Sequence, residues 1–262
     1  MKATVFLGGG RITSALVSGL RLSRYRAPIV VFDRHPAKLR RLQRQFGIIP
    51  ETELNRAVSS AGILIIAVRP ESVPDLLQQI GSAKRRLVPV SVAAGVPLKK
   101  LRALLPAPAA WVRAMPSPVA RVGRGLTALV FDKTVRTTER NQVQQLFGRV
   151  GDVVEIPEKD FDAFTVTYSS SHGYHALATL AGAAQRLGLS RKTALLAASH
   201  ALADGVTSFR NGKLPLAHLI HEAATPGGIA ATVMFTMDKA GYARIVERGL
   251  RAGVSRARKH AN

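Results

Sequence analysis

The chain has 262 residues, of which 47% are hydrophobic, so it can bury the core of one large domain or of two smaller ones. It contains no cysteine, which excludes disulfides, a thiolate nucleophile and a zinc–thiolate site. Lys and Arg number 38 against 16 Asp and Glu, a formal charge of +22, yet only 5% of the residues are aromatic. Aromatic residues are scarce among the basic clusters, where Tyr25 lies between Arg24 and Arg26. Because base stacking requires a platform of several aromatic residues, we expect a solvated basic surface and no nucleic-acid partner.

Short apolar segments alternate with amphipathic ones over the first 157 residues, which is the pattern of strands and helices. The predicted strands are 5–7, 29–32, 63–68, 88–93, 111–114, 127–131 and 153–156. The predicted helices are 12–22, 36–46, 72–80, 98–104 and 138–150. The run ILIIAV over 63–68 is continuously apolar, as in a strand buried on both faces. Alternation with short connections predicts a parallel sheet with right-handed crossovers.

The pattern changes after Pro157. Residues 158–262 contain no convincing strand and read as Ala- and Leu-rich helices over about 160–187, 190–211, 215–221 and 227–260. Apolar residues recur at helical spacing on the first two of these helices: Leu177, Leu180, Ala184, Leu187, Leu195, Leu196 and Leu202. A small helical domain cannot cover so many apolar faces, so we expect a homodimer, or an assembly of dimers, built through residues 160–260.

The segment FLGGGRITSALVSGL over 6–20 reads as the end of a strand, a glycine turn and the start of a helix. Gly8 permits the tight turn, Gly10 lets a pyrophosphate approach the backbone, and Ala15 keeps the helix close to the sheet. The helix N-terminus supplies free N–H groups and the positive end of its dipole. Together with a second strand that ends at Asp33, this arrangement predicts a Rossmann-type dinucleotide-binding domain.

The end of the second strand carries conflicting signals about the cofactor. Asp33 is placed to accept the ribose hydroxyls of NAD and to repel a 2′-phosphate, whereas Arg34 can pair with the 2′-phosphate of NADP. A third interpretation is that Asp33 caps the following helix from outside its first turn. On the residues alone, NAD and NADP both stay open.

Further motifs occur in a fixed order along the chain. They are AVRP (67–70), SVAAGVPLKKL (91–101), RAMPSPVARVGRGLTAL (113–129), LFGRVGDVVEIPEKDFDAFT (146–165), YHALATLAGAAQRLGLSRKTALLAA (174–198) and ATPGG (224–228). Together with the glycine turn they resemble the pyrroline-5-carboxylate reductase family, over about residues 4–258. The resemblance implies a Rossmann-type NAD(P)-binding domain over 1–157 and an all-helical dimerisation and substrate domain over 158–262.

The resemblance also implies a reaction, namely NAD(P)H-dependent reduction of the cyclic imine 1-pyrroline-5-carboxylate to L-proline, the last step of proline biosynthesis. The family slightly favours NADPH, whereas Asp33 argues for NADH. The implied cofactor-binding residues are Gly8, Gly10, Arg11, Ile12, Asp33, Arg34, Ala67, Val68, Arg69, Pro70 and, near the nicotinamide, Met115, Pro116 and Ser117. The implied substrate-binding residues, which hold the carboxylate across a dimer interface, are Thr225, Gly227, Gly228, Ile229 and Ala230. Thr225 is expected to cap the following helix and Pro226 to take its first position.

The sequence departs from the family pattern around this pocket. Ser117 stands where the family usually has Asn, and Ala230 stands where it has a Thr that donates a hydrogen bond near the imine nitrogen. We therefore expect His172, Ser171 or Ser170 to act as the catalytic donor. For His172, the alternative is a helix-entry residue bonded to nearby backbone. Two other functions stay open, a reductase of a different imine and a nucleotide-binding homologue with weakened or no turnover.

The sequence predicts neither a metal site nor a membrane-spanning or secretory segment. His172 and His175 are spaced i, i+3 but have no third ligand in view, so no metal site is predicted. The amino terminus lacks the apolar core and cleavage signal of a secretory peptide, and no apolar run reaches the roughly 18–20 residues that cross a bilayer. We expect a cytoplasmic protein without a membrane partner.

Overall fold

The computed structural model describes residues 2–82 and 85–259, so residue 1 and residues 260–262 of the predicted domains lie outside the described residues. The chain divides into two compact units. The first comprises the residues up to 168 together with those from 253 onward, and the second comprises residues 169–252. The domain boundary after Pro157 stays a prediction.

The first unit contains an eight-stranded sheet. Its strands are β1 (Ala3–Leu7), β2 (Ile29–Phe32), β3 (Ile49–Glu51), β4 (Ala61–Ile66), β5 (Pro89–Ser91), β6 (Val112–Pro116), β7 (Gly125–Phe131) and β8 (Gly151–Glu155). The strand order is β3-β2-β1-β4-β5-β6-β7-β8, and its first six members follow the order of doubly wound dinucleotide-binding sheets. The predicted α/β class with a Rossmann-type sheet is confirmed.

Two details of the sheet differ from the prediction. β7 runs antiparallel to β6, with Arg113 opposite Val130, so an entirely parallel sheet was the wrong expectation. The connection over 117–124 is shorter than the dozen or so residues that a parallel crossover needs. The edge strand β3 was not predicted, because its three residues contain Pro50 and lack apolar alternation.

Seven α-helices lie among the described residues of the first unit up to residue 168. They are α1 (Arg11–Leu22), α2 (Pro36–Phe46), α3 (Leu54–Ser60), α4 (Val73–Ile80), α5 (Leu98–Leu104), α6 (Thr137–Gly148) and α7 (Phe161–Thr167). Only α3 was not predicted, because its seven residues LNRAVSS are too short for a clear periodic signal. Buried side chains of β1 alternate between two apolar clusters, with Phe6 in one and Val5 and Leu7 in the other. The sheet is therefore covered on both faces.

The second unit is helical. Its helices are α8 (Ser170–Arg186), α9 (Arg191–Asn211), α10 (Leu216–Ala223), α11 (Ile229–Lys239) and α12 (Tyr242–Arg258), the last of which continues into the first unit. Within the part of the chain that the structure describes, no helix combines the length and apolar character needed to cross a membrane.

The long helices predicted over 160–187 and 227–260 are each broken in two. The first breaks before Ser169, whose hydroxyl accepts a hydrogen bond from the Ser171 N–H and so caps α8. The second breaks at Gly241, whose φ of +83° lies in the left-handed region that glycine favours. Apolar periodicity continues through both breaks, which is why the sequence pattern did not reveal them.

Large apolar side chains are exposed across the second unit. Its buried cluster consists of Ala181, Ala194 and Ala198, with Leu177 and Ala184 packed against it. Leu187 is 88% exposed, and the other exposed members of the predicted faces are Leu180, Leu195 and Leu196. Further exposed apolar residues include Val206, Phe209, Val233 and Phe235. Surfaces of this extent are typical of a protein–protein interface.

The last turns of α12 belong to the first unit. A Cβ added to Gly253 would lie 3.0 Å from Val166 Cγ1, and a Cβ added to Gly95 would collide with the carbonyl oxygen of Ala257. Gly95 also has a φ of +73°. The first unit is therefore completed by residues from the far end of the chain.

Candidate active site

The turn after β1 passes very close to the end of β4. Gly8 has a φ of +112°, and a Cβ added there would lie 2.6 Å from the carbonyl oxygen of Ala67. The Ala67 N–H donates to the Leu7 carbonyl at 2.8 Å. Glycine is required at position 8 for two reasons: a side chain would collide with the backbone of Ala67, and it would be strained at this positive φ. The turn lies between β1 and β4, where the strand order reverses and ligands of such sheets bind.

Gly10, unlike the crowded Gly8, borders open space. A Cβ added to Gly10 would meet no atom of the described residues within 4 Å. Gly10 is the N-terminal cap of α1, and within the described chain no side chain caps this helix and its first turn holds no acidic residue. The first N–H groups of the helix, including those of Arg11 and Ile12, therefore have no acceptor within the helix. Open space beside these donors fits a pyrophosphate.

The carboxylate of Asp33 is buried beneath this turn, with its side chain only 8% exposed. Its Oδ2 accepts the Gly9 N–H at 2.8 Å and the Lys38 ammonium at 3.2 Å. Its Oδ1 accepts the His35 N–H at 2.8 Å and lies 2.9 Å from His35 Nδ1. Burial opposes ionisation, but these hydrogen bonds from the backbone of Gly9 and His35 and from the two side chains outweigh it and lower the pKa of Asp33.

This network gives Asp33 a role that sequence reasoning missed. The carboxylate fixes the glycine turn through Gly9 and holds the entry to α2 through His35, the N-terminal cap of that helix. The second contact agrees with the interpretation of Asp33 as a residue that caps from outside the first turn. Arg34, the next residue, is exposed.

The segment after β4 contributes to the same edge of the sheet. Ala67 is buried against Gly8, and Val68 Cγ1 lies 3.3 Å from the position of a Gly8 Cβ. Arg69 is exposed and forms a 4.0 Å ion pair with Glu71, and Pro70 begins a short 3-10 helix. The structure thus brings Ala67 and Val68 to the glycine turn and leaves Arg69 at the surface.

The segment after β6 ends at that edge too, because β1, β4, β5 and β6 are parallel. Met115 and Pro116 end β6, and the buried Ser117 follows, its hydroxyl accepting the Val119 N–H at 3.2 Å. The 3-10 helix that Ser117 caps lies against α1, since a Cβ added to Gly19 would collide with the carbonyl oxygen of Ala120.

In the second unit, the predicted donor residues lie in the first turn of α8. Ser170, Ser171 and His172 are all exposed. The Ser171 hydroxyl lies 2.7 Å from the Ser169 hydroxyl, and the His172 N–H donates to the Ser169 carbonyl at 3.0 Å. The backbone of this turn is therefore ordered by Ser169.

The predicted carboxylate site lies at the start of α11, but the helix begins later than expected. Gly228 is its N-terminal cap and Ile229 its first residue, so the expectation that Thr225 caps it and Pro226 takes the first position is wrong. A turn precedes the helix, closed by the Gly228 N–H donating to the Thr225 carbonyl at 2.9 Å, with Gly227 at a φ of +75°. Because no side chain of the described chain caps α11, its first N–H groups are available to an anion.

No cluster of three or more metal-ligating His, Cys, Asp or Glu side chains occurs within residues 2–82 and 85–259.

The glycine turn at the switch point of a doubly wound sheet defines a Rossmann-type dinucleotide-binding domain, here joined to a helical unit. Residues 4–95 match the family model "NADP oxidoreductase coenzyme F420-dependent", and residues 158–260 match "Pyrroline-5-carboxylate reductase dimerisation". A pyrroline-5-carboxylate reductase of Thermus thermophilus is 32% identical over 95% of this chain and 96% of its own. That of Mycobacterium leprae is 30% identical over 98% of this chain and 96% of its own. The chain belongs to the pyrroline-5-carboxylate reductase family.

The fold agrees with a solved structure of that family. The crystal structure of Plasmodium falciparum pyrroline carboxylate reductase with NADP bound superimposes with a TM-score of 0.87 at 20% identity. The match covers 100% of this chain and 98% of that one.

Proposed function

We propose that this chain reduces 1-pyrroline-5-carboxylate to L-proline with a reduced nicotinamide dinucleotide. The observation that carries the proposal is the open, uncapped N-terminus of α1 at the glycine turn, in a chain whose curated relatives of that name match it from end to end. When bound, a reduced nicotinamide dinucleotide would supply the hydride that the imine carbon accepts, and the ring nitrogen would take up a proton.

The protein's part is to bind and orient the two reactants. The N–H groups of Arg11 and Ile12 at the start of α1 would hold the pyrophosphate, with Gly10 leaving room for it. Met115 to Ser117, at the same edge of the sheet, would line the nicotinamide. The uncapped start of α11 would bind the substrate carboxylate in the same way as α1 would hold the pyrophosphate.

We propose that NADPH is preferred over NADH. An ionised carboxylate offers about four acceptor sites, and those of Asp33 face the Gly9 and His35 N–H groups, the His35 ring and the Lys38 ammonium. These contacts compete with the ribose hydroxyls of NADH for the Asp33 oxygens, and the Lys38 ammonium offsets the charge of the carboxylate. The exposed Arg34 is then suited to pair with a 2′-phosphate.

We propose His172 as the donor to the imine nitrogen, with Ser170 or Ser171 as the alternative. All three are exposed in the first turn of α8. An imidazole can donate a hydrogen bond from either ring nitrogen, so His172 suits a donor role beside an imine nitrogen.

We propose that the protein is a homodimer or a larger assembly of dimers. The exposed apolar residues of the second unit, with Leu187 at 88% and Ile229 at 87%, are the surfaces that a second copy would cover. The cytoplasmic location expected from the sequence stays a prediction.

A reductase of a different imine is the second candidate. It is favoured by Ile229 and Ala230, which place apolar side chains at the first two positions of α11. A larger or less polar ring would suit such a turn better than the pyrroline ring.

The deciding experiment measures initial rates of NADPH and NADH oxidation with 1-pyrroline-5-carboxylate and with the six-membered piperideine carboxylates. Preference for the pyrroline supports the proposal, and preference for a piperideine supports the second candidate. Oxidation with neither, by protein that binds NADPH, would overturn both and leave a nucleotide-binding protein without turnover. Complementation of a proline auxotroph by the natural chain, but not by Gly10→Asp, provides the matched test in cells.

A further inference from the structure

A buried guanidinium on β6 has no role in the function proposed above. Arg113 belongs to β6, two residues before Met115, and its side chain is only 3% exposed. Its Cζ lies 4.0 Å above the ring of Phe161. Burial lowers the pKa of this guanidinium, and the charges of Asp162 and Glu158 oppose the shift.

The contacts of Arg113 join three segments. Its Nη1 donates to Glu158 Oε1 at 3.3 Å, and its Nη2 lies 3.5 Å from Asp162 Oδ1. The same Glu158 oxygen accepts the N–H of Leu98, the first residue of α5, at 2.6 Å. One buried charge therefore connects β6, the end of the turn between β5 and α5, and the segment that leads into α7.

Stability alone does not account for this arrangement. Arg113 Nε and Nη2 and Asp162 Oδ1 are buried without a hydrogen-bond partner among the described residues. A buried ion pair with such incomplete hydrogen bonding typically gains little over apolar residues of the same volume. An apolar residue in place of Arg113 would, however, remove the connection between the turn after β5 and the strand that ends at Met115.

We propose that Arg113, acting through Glu158, is a positioning residue that sets the turns after β5 and β6 against each other and so aligns the nicotinamide ring for hydride transfer. The inference rests on the proposed function, which places the nicotinamide along Met115 to Ser117. Cofactor binding is held mainly by the glycine turn, which Arg113 does not contact. Loss of Arg113 should therefore slow the hydride-transfer step and leave the affinity for NADPH unchanged.

The test compares Arg113→Met with Arg86→Met, a control that removes a guanidinium from another ion pair of the same unit. Arg86 Nε lies 2.6 Å from Glu139 Oε1, and these residues belong to the segment before β5 and to α6. For Arg113→Met we expect kcat to fall about 10²-fold, the cost of misplacing a reactant by roughly 1 Å. The Kd for NADPH, measured by fluorescence titration, should stay as in the natural protein. The isotope effect on kcat with NADPH deuterated at the transferred position should rise.

A folded Arg113→Met with unchanged kcat and isotope effect would overturn the inference, and so would an equal loss in Arg86→Met. Should Arg113→Met fail to fold, Glu158→Gln and Glu158→Ala take its place. Gln keeps an acceptor for the Leu98 N–H, so Glu158→Ala should lose more kcat, and equal losses would count against the role. If the natural protein does not reduce the imine, the fluorescence lifetime of bound NADPH is compared between the natural protein and Arg113→Met. Equal lifetimes would refute a role for Arg113 in aligning the nicotinamide ring, and different lifetimes would support it.

Discussion

Replacement of Gly10 by Asp should abolish cofactor binding and leave the fold intact. Gly10 has a φ of −79°, which any residue can adopt, and an added Cβ meets no atom within 4 Å, so the variant should fold. Its carboxylate would occupy the space beside the first N–H groups of α1. Two like charges about 4 Å apart repel by about 4 kcal/mol at an effective dielectric constant of about 20. That energy corresponds to a loss of about 10³-fold in NADPH affinity.

Two further variants separate the causes. Gly10→Asn has nearly the same volume without the charge, so the difference between Asn and Asp measures repulsion alone. Gly8→Ala should instead lower the free energy of unfolding, because its Cβ would lie 2.6 Å from the Ala67 carbonyl oxygen at a φ of +112°. Affinity is measured by NADPH fluorescence and stability by urea unfolding. A folded Gly10→Asp that binds NADPH as the natural protein does would refute the assignment of the turn.

The remaining predictions concern the cofactor, pH, the donor and assembly. Arg34→Glu should weaken NADPH binding more than NADH binding in paired titrations, and equal losses would show that Arg34 does not contact the 2′-phosphate. Because the folded pKa of Asp33 is lowered, its stabilisation is present above the unfolded pKa of about 3.9 and is lost as the pH falls through the folded value. Asp33→Asn should therefore lower the free energy of unfolding at pH 7 and flatten its decline in acid unfolding curves. His172→Ala should lower kcat about 10²-fold without changing the Kd for NADPH, and Ala230→Thr should restore part of that loss. Sedimentation at micromolar concentration should give a dimer or larger, and a monomer would contradict the interface assigned to residues 160–260.

Much of the first unit could be predicted because its signals are local. The glycine turn, the apolar strands and the helix starts each lie within a few residues, so spacing alone placed the cofactor edge. The role of Asp33 could not be read this way, since its contact with Gly9 spans 24 residues and depends on the packing of two strand ends. Sequence rules offered a ribose acceptor or a helix cap, and neither pointed to the contact with the glycine turn.

The helical unit shows the other limit of prediction. The start of α11 was misplaced because Thr225 and Pro226 satisfy the statistical preferences for a helix start as well as Gly228 does. The helix begins after Gly228 because a turn closed between Thr225 and Gly228, with Gly227 in the left-handed region, precedes it. The exposed apolar faces were anticipated, whereas the division of the long helices depends on single residues inside otherwise periodic stretches.

The return of α12 to the first unit has a consequence for how the chain folds as it is made. Residues 169–252 separate Tyr168 from the segment that lies against Gly95 and Val166. At a synthesis rate of about 5–20 residues per second, that interval takes roughly 4–17 s. During that interval the first unit lacks its last segment, and the site beside Gly95 that Ala257 occupies in the finished protein stays uncovered. A ribosome stalled before residue 253 should therefore hold a nascent sheet that a protease cleaves more readily than the released protein.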